Sequence, residues 1–257
     1  MAAPYIGDLD FSGLFFTPMQ QKSGKKSVDL YRSAAPVAPS NRVKFQLCRD
    51  ETEPTIAKWN LDGVRDDSDP TRRKFEVRVT DPAAIAALKA FDEAVVQHAQ
   101  QHSKEWFKKE LTLPEVKARY KELLIHDVDD DTYSIKFKVK CLGAAVPTKI
   151  LRLVGDGEYV ESDEADLTRH SEVVPILQTF GVWFLGDAQF GVSFFADKLL
   201  VRPHQVADAI EDFALSRPFK RQKPQPQAEE EAPVSSTEAG AVAVKLVDDD
   251  DDGETAM

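Results

Sequence analysis

Residues 133–141 alternate without interruption: Ile135, Phe137, Val139 and Cys141 fall on one side of the chain, and Ser134, Lys136, Lys138 and Lys140 on the other. A period of two is the mark of a β-strand with one buried and one wet face, because successive side chains of a strand point to opposite sides of its sheet. Two further segments repeat the pattern. At 42–48, Val43, Phe45 and Leu47 oppose Arg42, Lys44 and Gln46; at 74–80, Phe75, Val77 and Val79 oppose Lys74, Glu76 and Arg78.

Weaker strand signals surround these. Residues 54–61 form a strand containing Trp59, which the pattern assigns to neither face, and 149–154 lead into a Gly-Asp-Gly turn. Residues 173–185 and 190–201 are long apolar strands joined by Gly-Asp-Ala-Gln, a hairpin signal. Between the strand groups lies a helical block. Asp81 caps a helix with Pro82 at its first position, and Ile85, Leu88, Ala90, Phe91, Val95 and Val96 give it an apolar stripe out to about His102. Thr112 and Glu115 have capping-box spacing, which predicts a second helix running on through Val116, Tyr120, Leu123 and Leu124. A last helix is expected from near Pro203 to about Leu215, and polar loops at 17–29 and 62–71. Strands, two helices and strands again, without βαβ alternation, predict a mainly β (β+α) barrel or sandwich with a helical insertion at about 81–125.

The net charge is −11, which sits badly with a polyanionic ligand until it is located. Ten of the 44 acidic residues and one of the 33 basic residues follow Lys223, so the first 223 residues carry −2 and the remainder −9. Residues 218–257 are rich in Pro, Gln, Ala, Ser and Glu and hold no aromatic after Phe219, too little apolar surface to offset chain entropy. The chain is therefore read as a domain at 1–217 and a disordered tail at 218–257, with the acid concentrated beyond Lys223. No stretch approaches 18 apolar residues and no basic-then-apolar leader opens the chain, so an intracellular protein without a membrane partner is expected. Cys48 and Cys141 lack the spacing of a metal or disulfide framework and read as two buried thiols.

The chemistry points to polyanion binding. Lys136, Lys138 and Lys140 project together at intervals of about 6.6 Å, and like charges so placed disfavour one another unless an anion lies across them. Arg42, Lys44, Lys74, Arg78 and Arg152 are further bases on polar strand faces. Base-stacking platforms are the second requirement for binding single strands. Strand phase groups Phe180, Val182 and Phe184 on one face with Trp183 opposite, and Phe190, Val192, Phe194 and Ala196 on one face with Phe195 opposite, so Trp183 and Phe195 are the expected exposed aromatics. Trp106 and Phe107 read as packing residues. Asp248, Asp249, Asp250, Asp251 and Asp252 mimic a short polyanion that can cover a basic groove or recruit basic partners. No phosphate-cradle, nucleophile-elbow or HExxH motif is present; His98 and His102 read as a helix surface, and Asp127 and Asp129–Asp131 as a solvated turn. Neither an enzyme nor a cofactor is expected.

The segments SKEWFKK (103–109), PEVKARYKELL (114–124), YSIKFKVK (133–140), HSEVVPILQTFGVWF (170–184) and FGVSFFADKLLVRP (190–203), followed by an acidic tail, resemble the OB-fold single-stranded DNA-binding proteins of large eukaryotic DNA viruses. These are more distantly similar to phage replication proteins with acidic C-termini. The resemblance covers about half of the chain. It implies an OB-fold-like five-stranded barrel with extra strands and helices, and a role in DNA replication, recombination or repair in a host nucleus or viral replication compartment. It carries over to Lys136, Lys138, Lys140 and the tail. Such tails often end in an aromatic residue, whereas this one ends Gly253-Glu254-Thr255-Ala256-Met257.

The expectation is sequence-independent binding of single-stranded DNA, with RNA as the other candidate strand. The tail would compete for the groove and recruit replication or recombination proteins, and self-association is compatible with this reading. The alternative is an acidic-tailed histone chaperone or adaptor. The lysine strand separates the two, since a chaperone scaffold has no use for a cationic row.

Overall fold

The computed structural model describes residues 3–34, 38–61, 71–154 and 157–204. The acidic run 248–252, the tail boundary near 218, the loop 62–70 and the helix expected after Pro203 lie outside the described residues.

In chain order the elements are β1 (Phe15–Phe16), β2 (Gln20–Lys22), β3 (Lys25–Val28), β4 (Leu30–Tyr31), β5 (Lys44–Gln46), β6 (Thr55–Ile56) and β7 (Arg72–Val79). Then come α1 (Pro82–Gln101), α2 (Ser103–Phe107), α3 (Leu113–Lys117), β8 (Tyr120–Lys121), β9 (Leu124–Asp127), β10 (Thr132–Lys140), β11 (Lys149–Val154), β12 (Glu158–Ser162), β13 (Glu172–Leu185) and β14 (Gln189–Arg202).

The architecture is mainly β, a curled OB-like sheet carrying a helical insertion. β14 pairs with β13 antiparallel and with β10 parallel, and β10 pairs antiparallel with β7. β6 joins β13 at Thr55–Val173, and a bridge from Ala57 to Val77 on β7 completes the circuit. Phe45, Phe75, Val77, Ile135, Phe137, Val139, Leu177, Phe194 and Leu199 fill the inside of the curl, each at most 2 % exposed. Burying each such side chain stabilises the fold by roughly 1.5–3 kcal/mol. Phe194 meets Phe45 edge-on at 5.2 Å and Phe91 of α1 at 5.7 Å, so the helix is anchored to the barrel interior through one ring.

α1 forms as its sequence dictates. The Asp81 carboxylate accepts from the Ala83 N–H, Pro82 occupies the first turn, and Ala84, Leu88, Phe91, Val95 and Ala99 make the buried stripe. The capping box at Thr112 and Glu115 also forms, yet its helix stops at Lys117. Tyr120 and Leu124, in phase for a longer helix, belong instead to strands: β8 pairs with β14 and β9 with β10. Unpaired strand backbone on the barrel outweighs the local helical periodicity there. The polar stretch 17–29 likewise departs from a loop, because Ser23 and Gly24 both adopt positive φ and turn β2 back on β3 as a hairpin. His98 is not on an open helix surface either; it stacks on Phe16 at 3.8 Å and lies 5.6 Å from Trp106. Burial and the neighbouring His102 push its pKa down to about 4. Trp106 and Phe107 are buried as packing residues, and both cysteines are buried free thiols.

Candidate nucleic-acid interface

Directly paired residues of a sheet carry their side chains on the same face. From Lys138, the register leads to Lys74 on β7 and Phe195 on β14, from Phe195 to Gln178 on β13, and from Gln178 to Lys44 on β5. One transverse row of Lys74, Lys138, Phe195, Gln178 and Lys44 thus crosses five strands on the outer face. One step along β10, Lys140 opposes Arg72; one step the other way Lys136 opposes Glu76, and beyond it Ser134 opposes Arg78. Lys74, Lys138, Arg72 and Lys140 therefore form a block of four cations, two by two, on adjacent strands.

Two rings lie beside this block. Phe195, placed outward by its phase, is only 5 % exposed because Phe180 covers it edge-on at 5.0 Å. Phe180, which strand phase assigns to the core with Val182, is instead 50 % exposed. The cause is a bulge. Thr179 opposes Phe194 and Gly181 opposes Ser193, which leaves Phe180 without a partner and turns it outward. Gly181 makes the bulge possible: its φ is 133°, and a Cβ there would stand 2.6 Å from the Val28 carbonyl oxygen. Cations surround the pair. The Arg72 guanidinium lies 5.2 Å from the Phe195 centroid and 5.8 Å from that of Phe180; Lys140 and Lys138 lie 5.2 and 6.0 Å from Phe195, and Arg42 5.8 Å from Phe180.

Trp183 shares this outer face, two steps along β14 and about 13 Å from Phe195. It opposes Gly191 on one side and Ser27 on the other, and Gly191 opposes Lys121. A Cβ on Gly191 would sit 2.8 Å from the Trp183 ring, so the glycine lets the indole lie flat against the sheet. Trp183 is half-buried, a shallow platform rather than a protruding ring.

Ion pairing sorts the expected bases. Lys136 meets Glu76 at 3.2 Å, Arg78 meets Asp130 at 3.8 Å, Lys44 meets Asp197 at 2.5 Å and Arg42 meets Asp29 at 3.1 Å. Glu76 is 6 % exposed and also accepts from the Ser134 hydroxyl at 2.6 Å, with Lys58 at 3.5 Å. Asp127, hydrogen-bonded to Lys58, pushes that lysine's pKa up. Lys74 and Lys140 have no carboxylate partner among the described residues. Arg152 does not join the face: it opposes Val201, shares its strand side with the buried Ile150, and pairs with Asp166 at 3.6 Å. A bulge in β14 at Asp197 changes the phase between Phe195 and Val201, so a base on β11 that looks aligned points to the other side.

The sequence reading missed Arg72, Phe180 and Lys121. Gly181 inside an apolar strand was the available signal for the first bulge. A cleft of about 720 Å³ opens past Lys140, lined in part by Arg73, Thr148, Lys149, Glu161 and Glu164. Among the described residues, no group of three or more His, Cys, Asp or Glu is placed to hold a metal ion, and no helix is long and apolar enough to cross a membrane.

The sequence matches a protein family described as a family of unknown function (DUF5871) over residues 64–216, more than half of the chain. No curated protein matches it. Among solved structures it is similar to gp2.5, a single-stranded DNA binding protein encoded by bacteriophage T7, with 12% identity and a TM-score of 0.44 over 72% of this chain and 100% of that one. It is also similar to the single-stranded DNA-binding protein from bacteriophage Enc34 in complex with ssDNA, with 11% identity and a TM-score of 0.39 over 73% of this chain and 95% of that one.

Proposed function

The chain belongs to DUF5871, a family of unknown function, and we propose that it binds single-stranded nucleic acid, DNA in the first instance, on the outer face of its barrel and without regard to sequence. The observation that carries this is the block of Lys74, Lys138, Arg72 and Lys140 set against the Phe180–Phe195 ring pair. Lysines on a strand also serve to protect a sheet edge from aggregation. β10 is not an edge, since β7 and β14 flank it, so that explanation does not account for its cations. Like charges directly opposite each other destabilise a sheet, and a run of phosphates relieves that repulsion while the rings accept bases. The role is binding rather than catalysis.

The wider proposal is a part in DNA replication, recombination or repair, with kinship to the viral single-stranded DNA-binding proteins and work in the nucleus or a viral replication compartment. The residues 218–257, at the C-terminal end of the sequence, compete for the cationic face and recruit partners. Titrating fluorescent poly-dT against the full chain and a version ending at Arg217, across a salt series, tests this. Failure of both forms to bind at low salt refutes strand binding, and equal affinity of the two refutes competition by the tail.

A further inference from the structure

Away from the ring pair, a second aromatic stands exposed. Trp59 follows β6 at the rim of the barrel and is 51 % exposed, unusual for the largest apolar side chain in a described region with a well-filled core. The Arg169 guanidinium lies over its ring, 5.3 Å from the centroid. Arg169 is itself exposed and has no carboxylate partner among the described residues. Its position is fixed from the backbone, because its N–H donates to Asn60 Oδ1 at 2.6 Å. The next residue, His170, adopts a φ of 67°, a left-handed conformation that a side-chain-bearing residue takes up at a cost. Its amide donates to the Ala57 carbonyl at 2.9 Å, and the Leu61 N–H donates to the Leu167 carbonyl at 2.9 Å, so the two segments that carry Trp59 and Arg169 are laced together. A guanidinium held over an exposed ring repeats, at a second place, the arrangement of Arg42 and Arg72 over Phe180.

The two places are joined across the surface. Lys138 lies over Phe195; Lys136, two residues along β10, shares the Glu76 carboxylate with Lys58; and Lys58 precedes Trp59. Two residues along β10 and three strand spacings, from β14 through β10 and β7 to the segment after β6, set the stations roughly 16 Å apart. We propose that Trp59 and Arg169 form a second base-stacking station, which takes a nucleotide of the same single strand that occupies the Phe180–Phe195 platform. This rests on the reading of the chain as a single-strand binder and extends it. A short strand reaches only the platform, whereas a longer one also engages Trp59, with Arg169 contacting base or phosphate.

Oligothymidines of about 3 nucleotides, too short to span both stations, and of about 16, at the upper end of the site sizes for one such barrel, separate the stations in the full-length protein. Trp59→Ala is expected to weaken binding of the longer strand roughly 5- to 100-fold, leave the shorter one unchanged, and be rescued by Trp59→Phe. Arg169→Gln is expected to act in the same direction on the longer strand alone. In a Trp183→Phe background Trp59 is the accessible indole, since Trp106 is 1 % exposed; its fluorescence is quenched by the longer strand and not by the shorter. Wild-type affinity of Trp59→Ala for both lengths, or an equal loss for both at unchanged melting temperature, overturns the second station. Failure of the wild-type protein to bind either length refutes single-strand binding itself, a result distinct from both.

Discussion

Replacing Lys74 and Lys140 together by Gln tests the cationic block through the salt dependence of binding. Lys74 lies in the row that holds Phe195 and Lys140 one step along β10 from it, and both lack a carboxylate partner among the described residues, whereas Lys136 is already held by Glu76 at 3.2 Å. Release of counterions from a single strand contributes about −0.7 to the slope of log affinity against log salt for each phosphate neutralised, so contacts from Lys74 and Lys140 together contribute about −1.4. Those two charges account for about 7-fold of the fall in affinity between roughly 50 and 200 mM salt, and the double variant is expected to lose that share of the salt dependence. Lys136→Gln leaves the slope where it was, because its charge is already countered. Fluorescence anisotropy of labelled oligothymidine at five or so salt concentrations reads both slopes. An unchanged slope in the double variant, or a fall for Lys136→Gln as large as for either lysine, refutes the assignment of the face.

Phe180→Ala removes a half-exposed ring, and is expected to cost about 1–3 kcal/mol of strand binding with little change in the thermal melt; loss of fold instead of affinity contradicts the platform. Gly181→Ala places a Cβ 2.6 Å from the Val28 carbonyl at a φ of 133°, and is expected to destabilise by at least about 1–3 kcal/mol, read as a lowered midpoint in urea. His98, half-buried and held neutral with its pKa down to about 4, is protonated in the unfolded chain below about pH 6.5. It therefore contributes stability that is full above that value and is lost on acidification toward pH 4; His98→Phe, which preserves the stack on Phe16, is expected to blunt that loss in melts across the range. Asp92 acts in the opposite sense. Burial raises its pKa to about 7 despite hydrogen bonds from the Tyr120 hydroxyl and the Leu123 N–H. The native state holds its proton while the unfolded chain has released it, so stability falls as pH rises from about 4 through 7, and Asp92→Ala should remove that slope even as it lowers stability at acid pH.

The barrel was legible because its main strands obey period two with one buried face: β7, β10 and the hairpin of β13 and β14 appear where alternation places them. Phase failed where a strand is irregular. Counting alternate residues through Gly181 puts Phe180 in the core, and the bulge reverses that; counting onward from Phe195 to β11 fails at Asp197 for the same reason. Cross-strand partners were beyond reach as well. That Lys136 faces Glu76 while Lys138 faces Lys74 depends on the register of β7 against β10, which no local pattern specifies. The helix from Thr112 was cut short by tertiary pairing of Tyr120 and Lys121 with β14, an interaction absent from the residues' own periodicity.

The outer row draws Lys44, Lys74, Lys138, Gln178 and Phe195 from segments spread over some 150 positions of the chain. A strand of phosphates bound as proposed would find that density of contacts only after the circuit of strands has closed, and so would bind the native state with little grip on the unfolded one. Ligand is then a folding partner by mass action: at a hundredfold excess over its dissociation constant it adds about 2.7 kcal/mol to the stability of the barrel. On the proposed function, the protein is expected to be most resistant to heat and proteases where single strands are abundant, and more readily turned over where they are scarce.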